Sequence, residues 1–535
     1  MRLSSNSRFT ESDMNLIFNV TFFFSELLKE HANITFSELK PGWSFIPRLK
    51  DFSDYEWSTW LFFFFSSWHY LLLHFIVAEL LRRFCISILP YWYIIISIVY
   101  VNTLFGFKQV IAVICQPIIF ALITFLGGKK VTVWLTAISI LITIHFLKYT
   151  NIVWNFFEHD NLDNEEVYLL LIGLGWTELR CIAYCINFID LREKYCAKVA
   201  SENINIYNKM TNNNLVNMFS YVLYLPTLYT GPIIFYEDFK ETFVPRKIGV
   251  LIKMKIFVKD MTIYLLYTLL LDLAFHYIYF LAMQENVQVK YSKNFFQMIR
   301  KFPSMALCGG GLWMGLQFHM KYVISYGTAG SFARLDNIHP PPTPRCIARI
   351  HVYSQMWRYF DVGLYNFLLS FRYIYKPAIA TISQYTKLGK FQLKQTASFI
   401  TFIFIFIWHG TTLSIFVWSL LNYIGITLEQ IGDTIVESNW YKNFRIKYLK
   451  CDKMEIRFKA LVCAPLFAMS AISSFYLFGG YKIGSLFFEY SMQPSLWSAF
   501  IILISLYSCC HVSIALNNVS SRTDYRCMKD ISLRP

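Results

Sequence analysis

The stretch FITFIFIFIWHGTTLSIFVWSLL, residues 399–421, decides the fold class. It holds a single ionisable side chain, His409. About 20 mostly apolar residues are what a helix needs to cross a bilayer. An ionisable group at that depth is costly and marks a functional site by default. Asp361 lies 48 residues upstream, in MWRYFDVGLYNFL (residues 356–368), and is a second such anomaly. An Asp and a His in apolar surroundings point to an acid–base site inside a membrane.

The rest of the chain agrees with that class. Of 535 residues, 56% are hydrophobic, 19% aromatic and 16% charged. Soluble domains carry about 25% charged residues. With a mean hydropathy of +0.41, the chain reads as an all-α polytopic membrane protein. No long polar stretch offers a second unit. A single membrane-embedded domain over residues 1–535 is expected, with an N-terminal segment at 1–58 and a catalytic region at 339–410. The net charge is +15, from 49 basic and 34 acidic residues. The basic residues gather at the ends of apolar runs: Arg82 and Arg83, Lys129 and Lys130, Arg246 and Lys247. That is the pattern of short cytoplasmic loops. It suits anionic lipid heads or the phosphates of an acyl carrier and excludes nucleic acid.

The twelve cysteines include no Cys-x-x-Cys motif. Cys115, Cys181, Cys185, Cys308 and Cys463 sit in apolar context and read as buried thiols rather than a disulfide framework. Met14–Leu28 lacks a basic flank and a small-residue cleavage site, so it reads as an uncleaved span or an amphipathic segment. Glycosylation triplets at Asn19, Asn33 and Asn518 carry little weight.

Candidate spans are 59–81, 84–105, 110–126, 131–147, 167–189, 218–235, 250–283, 303–326, 355–375, 397–410, 413–428, 461–478 and 496–517. They make roughly ten to twelve transmembrane and re-entrant segments around a central cavity. Tyr224-Leu225-Pro226, Thr230-Gly231-Pro232 and Gly309-Gly310-Gly311 interrupt them. Irregular backbone at membrane depth is tolerated where it is buried or lines a cavity, and a proline kink is the plainer alternative. Residues 339–346, HPPPTPRC, exclude a helix and form a loop at a membrane face.

Around Asp361 the pattern predicts one helix over 356–369. Trp357, Asp361 and Tyr365 then share a face, with Arg358 in reach of Asp361. The bland alternative is a structural Asp–Arg pair. For His409 it is a hydrogen bond across helices. Gly410 favours chemistry, because it leaves room beside the imidazole. A histidine pKa of about 6.5 suits proton transfer.

Trp408-His409-Gly410 after an apolar helix, with MWRYFDVGLYNFL upstream, resembles the membrane-bound O-acyltransferase (MBOAT) superfamily. Residues 334–368, RLDNIHPPPTPRCIARIHVYSQMWRYFDVGLYNFL, are similar to the signature of its Hedgehog acyltransferase branch. Tyr55–Trp60, Tyr229–Pro232 and Cys510–Ala515 fit it too. The resemblance implies an MBOAT-like core and a catalytic pair, His409 as general base and Asp361 as its helper. It implies Trp357 as a wall of the thioester site. The donor would be palmitoyl-CoA. The acceptor would be the amino-terminal cysteine of a secreted Hedgehog-type ligand, with EGF-type ligands beside it, and the product an amide. It also implies Cys346 as a haem-iron ligand, with Arg345 and Arg349 near the propionates. The expected location is the endoplasmic reticulum or Golgi membrane. The stretch between Asp361 and His409 is longer than the family leads one to expect, and the polar insert 384–394 is expected to loop out. O-acylation of serine on a secreted peptide, an inactive lipid-binding scaffold and a transporter are the other readings. No inverted repeat supports the last.

Overall fold

The structure is a computed structural model and describes residues 39–149, 164–202, 211–244, 249–282, 284, 304–347, 350–369, 373–492 and 496–532. Met14–Leu28, Asn19, Asn33, Arg246, Lys247 and Arg349 lie outside the described residues, as do the side chains of Cys308 and Asn518.

A two-stranded antiparallel hairpin comes first, β1 (Leu39–Pro41) on β2 (Leu49–Asp51), with Lys40 opposite Lys50. Among the described residues, the regular elements after it are all helices. In the first half are α1 (Tyr55–Phe84), α2 (Leu89–Phe105), α3 (Phe107–Phe125), α4 (Lys130–Tyr149), α5 (Asn164–Glu202), α6 (Thr211–Val222), α7 (Tyr236–Phe239) and α8 (Val250–Ala274). In the second are α9 (Ser304–Leu335), α10 (Tyr353–Phe360), α11 (Val362–Leu369), α12 (Tyr375–Tyr385), α13 (Lys390–His409), α14 (Leu413–Glu437), α15 (Asn439–Tyr448), α16 (Asp452–Met492) and α17 (Leu496–Ser532). Seven helical stretches among the described residues are long and apolar enough to cross a membrane: Tyr55–Phe84, Ile86–Phe105, Phe107–Phe125, Glu166–Lys194, Lys390–His409, Asp452–Glu489 and Ala499–Asn517. The protein is a multi-pass helical membrane protein.

Several expectations about individual segments change. Residues 218–235 do not form a span. α6 ends at Val222, a 3-10 turn, Leu225–Thr227, carries Pro226, and Pro232 lies in the irregular backbone that follows. Gly309-Gly310-Gly311 breaks nothing, because α9 runs through it. A Cβ on Gly311 would stand 2.7 Å from the Phe475 ring, so the missing side chain admits a neighbouring helix. The insert 384–394 is mostly helical: only Thr386–Gly389 leaves the helices, and Lys390–Lys394 begin α13. Cys181, Cys185 and Cys463 are buried as expected, but Cys115 is exposed.

One buried charge cluster ties the first half together. Asp336, just past α9, is 1% exposed. Its carboxylate meets His74 at 2.8 Å and the Tyr224 hydroxyl at 2.6 Å, and it pairs with Arg82. Arg82 also donates to the Thr242 and Tyr93 hydroxyls. It is therefore a core residue and not a loop charge like Arg83, whose side chain is 57% exposed. Burial would raise the Asp336 carboxyl, but Arg82, His74 and the Tyr224 hydroxyl together outweigh it and hold it below the usual carboxylate range.

Candidate active site

α13 and α14 form an antiparallel helical hairpin whose turn is Gly410–Thr412. Gly410 has φ +120°, a conformation that side chains disfavour, and this ends α13 immediately after His409. A Cβ there would meet nothing closer than His145 at 3.9 Å. Backbone conformation therefore demands the glycine, and the space beside it is open. Down the hairpin, Ser419 donates to the Phe402 carbonyl at 2.9 Å, and Gln395 bonds both Thr427 and Gln430.

His409 is exposed at the end of α13, with its ring edge-on to Trp408 (4.7 Å) and Trp418 (5.0 Å). Two neighbouring helices clamp that end. Trp408 donates its indole N–H to the Gly175 carbonyl of α5 at 3.3 Å. His145 of α4 meets the Ile407 carbonyl at 2.6 Å, where its ring N–H donates. The last-turn carbonyl of Ile407 has no partner within its own helix, so His145 satisfies it, and the Trp408 bond ties the same end to α5.

Asp361 is placed by a break, not by a helix. The single helix expected over 356–369 splits into α10 and α11, and Asp361 sits between them in extended backbone (φ −121°, ψ 90°). Its Oδ1 accepts from the Leu364 N–H at 2.8 Å, which makes it the N-cap of α11. Its Oδ2 accepts from the Tyr326 hydroxyl at 2.7 Å. Gly363 follows because α11 begins against Ile233, where a Cβ would lie 2.7 Å from the carbonyl oxygen. The split removes the shared face of Trp357, Asp361 and Tyr365. Arg358 turns to Tyr365 instead of Asp361, at 3.3 Å. The bland Asp–Arg pair does not form.

Trp357 is anchored at both ends. Its indole N–H donates to Asn422 Oδ1 at 3.0 Å, and Asn422 in turn donates to the Trp418 carbonyl at 2.8 Å. Its ring leans on Phe402 (5.5 Å) and Trp418 (5.7 Å). The start of α10 is held by Glu429 of α14, which accepts from the Ser354 N–H at 3.0 Å and from Tyr353. A carboxylate suits a helix N-terminus that has no cap of its own.

The structure therefore gathers three of the four expected residues around one aromatic lattice. Trp418 touches both Trp357 and His409. Trp176 touches both Trp408 (5.6 Å) and Tyr326 (6.2 Å), and Tyr326 holds Asp361. Among the described residues, Asp361 and His409 share no hydrogen bond. Cys346 stands apart at the end of the proline loop, exposed and in no disulfide. Arg345 ties that loop to α10 through its N–H to the Tyr359 carbonyl (2.9 Å) and lays its guanidinium over the Tyr359 ring (4.7 Å).

Sequence reasoning missed Tyr326, Trp176, Trp418, Asn422 and His145. Asn422 was the findable one, a lone amide in the apolar run of α14. All five lie outside residues 339–410.

The chain is 28% identical to protein-cysteine N-palmitoyltransferase Rasp of Drosophila melanogaster over 450 residues, 83% of this chain and 81% of that protein. It is 28% identical to protein-cysteine N-palmitoyltransferase HHAT of Mus musculus over 384 residues, 71% of each chain. The mouse protein-cysteine N-palmitoyltransferase HHAT-like protein is 21% identical over 406 residues, 75% of this chain and 72% of that one. The sequence profile of one family matches residues 120–467, more than half of the length, and the chain belongs to that family, the membrane-bound O-acyltransferases.

Proposed function

We propose that this protein is a protein-cysteine N-palmitoyltransferase. It moves palmitate from palmitoyl-CoA to the amino-terminal cysteine of a secreted Hedgehog-type ligand, and EGF-type ligands fall in the same class. The observation that carries the reading is His409, accessible at the clamped end of an apolar helix between two tryptophan rings. Long similarity to two proteins named for this activity supports it.

The amine nitrogen of the acceptor attacks the thioester carbonyl and forms a C–N bond. His409 takes the proton that the nitrogen loses. The C–S bond breaks, CoA leaves as thiolate, and the proton held by His409 passes to its sulfur. An amino terminus has a free pKa of about 7.7–8.0, so one base near neutrality suffices. Asp361 assists as a helper: it caps α11 and orients the Tyr326 hydroxyl. Trp357 walls the thioester site, and Asn422 fixes its plane. Holding both reactants in attack geometry supplies much of the rate. Burial of the acyl chain stabilises the donor by about 0.8 kcal/mol per CH₂. The whole chain acts as one domain in the endoplasmic reticulum or Golgi membrane, embedded in its lipids.

Cys346, an exposed thiol outside any disulfide, would be the residue to hold a haem iron as a thiolate. Arg345 beside it is the cation available to a propionate. No step of the transfer passes through such a group. Cys346→Ser should then remove a Soret band from purified protein and leave transfer chemistry at His409 intact.

The test is acyl transfer in detergent from labelled palmitoyl-CoA to a peptide beginning Cys-Gly-Pro-Gly, with an N-acetylated twin. Hydroxylamine-stable label on the free-amine peptide alone, lost in His409→Ala, is expected. Label on serine peptides instead would establish O-acylation. No transfer by a protein that still binds palmitoyl-CoA would leave a lipid-binding scaffold.

A further inference from the structure

At the end of the α13–α14 hairpin remote from His409, an open groove of about 570 Å³ runs between the start of α13 and the end of α14. Phe391, Ile431, Ile435 and Trp440 line it, together with Thr434 and Ser438. Both hydroxyls are turned inward: Thr434 donates to the Gln430 carbonyl and Ser438 to the Ile435 carbonyl. The lining presented outward is therefore apolar. It continues an exposed stripe up α14, through Leu428 and Ile424 to Leu420, which is the spacing of one helix face.

The mouth of the groove is basic. Lys390 precedes Phe391, Lys394 lies one turn on, and Lys447 shares a face of α15 with Trp440; all three lysines are exposed. The nearby acids point elsewhere. Asp433 and Glu437 sit on the side of α14 turned from the lining residues, and Glu455 is engaged with Arg445 at 2.7 Å. Trp440, 68% exposed, marks the depth of the membrane–water interface. An apolar slot that opens at interface depth beneath three lysines matches one kind of occupant.

We propose that this groove binds an anionic phospholipid. An acyl chain lies along α14, and the phosphate is held by Lys390, Lys394 and Lys447. The lysines place the mouth at the cytoplasmic leaflet, where such lipids concentrate.

The test uses full-length protein in nanodiscs containing a diazirine-bearing phosphatidylserine or phosphatidylcholine, with crosslinks mapped by peptide mass spectrometry. Label from phosphatidylserine is expected within residues 391–440, well above that from phosphatidylcholine. Lys390→Gln and Lys447→Gln should each lower it about fivefold, the effect of about one interfacial charge. Glu437→Gln, on the other face, should not lower it. Unchanged thermal unfolding of each variant guards against misfolding. Equal labelling by both lipids, or label only elsewhere, overturns the proposal. So does displacement by inorganic phosphate, which would mark a headgroup site without a chain, or by palmitoyl-CoA, which would make the groove the path of the donor. The readout is lipid occupancy, so its failure is distinct from failure of the acyltransferase reading.

Discussion

At the residue scale, the site divides its labour. His409→Ala should lower turnover by about 10²–10⁴, the usual worth of a general base, while donor binding persists. Single-turnover kinetics with labelled palmitoyl-CoA checks this. Asp361 acts on structure around the site, so its variants should separate by chemistry. Asp361→Asn keeps an oxygen for the Leu364 N–H or for Tyr326, but not a charge. Asp361→Ala loses the cap as well, at about 1 kcal/mol, and should unfold at a lower temperature than the Asn variant. Both residues stood out in the sequence because an ionisable group in an apolar run is conspicuous. The setting of Asp361 did not. The helical spacing of MWRYFDVGLYNFL continues straight across the break, and only the packing of Gly363 on Ile233 shows why the helix stops. Tyr326 and Trp418 were invisible for another reason: in a chain with 35 tyrosines and 14 tryptophans, no single ring is marked.

At the scale of elements, the end of α13 is set by its neighbours. His145→Leu removes the N–H that holds the Ile407 carbonyl. Turnover should fall while KM for palmitoyl-CoA holds, and His145→Gln, which can return an N–H to that place, should restore much of it. A merely structural loss would not be rescued in this way. Asn422→Ala strands the Trp357 indole N–H at a cost of about 1–3 kcal/mol and should raise KM for the donor. The β1–β2 hairpin makes a pH prediction. Asp51 accepts from the Ser53 and Ala282 N–H groups. Burial pushes its carboxyl up to about 6. Its unfolded value is about 3.9, so the hairpin is held most tightly below that pH. The hold weakens by about 3 kcal/mol as pH rises through 6. Hydrogen exchange of residues 39–51 at pH 4.5 and pH 7.5 should show slower opening at the lower pH, after correction for intrinsic rates.

For the whole molecule, the decisive contact is the one around Asp336. Asp336→Ala takes from buried Arg82 the closer of its two carboxylates and leaves only Glu79, at 3.3 Å, a change that costs about 3 kcal/mol and should appear as a large drop in thermal unfolding temperature. Because its carboxyl is held low, the stabilisation is present above about pH 3.9 and is lost only as pH falls through the depressed value. The helical class was legible from composition and apolar run length, which are local properties. The Asp336 contact was not, since His74 and Asp336 are 262 positions apart and nothing in either segment names the other as its partner. That separation also sets a timetable for biogenesis. A ribosome adding roughly 5–20 residues per second needs roughly 13–50 s to travel from His74 to Asp336. Throughout that interval His74 sits in an inserted nascent helix without its carboxylate, and Arg82 has only Glu79 of the same helix. The first helices are therefore clients of the membrane insertion machinery until α9 emerges, and a chain truncated before residue 336 should be recognised by quality control and degraded.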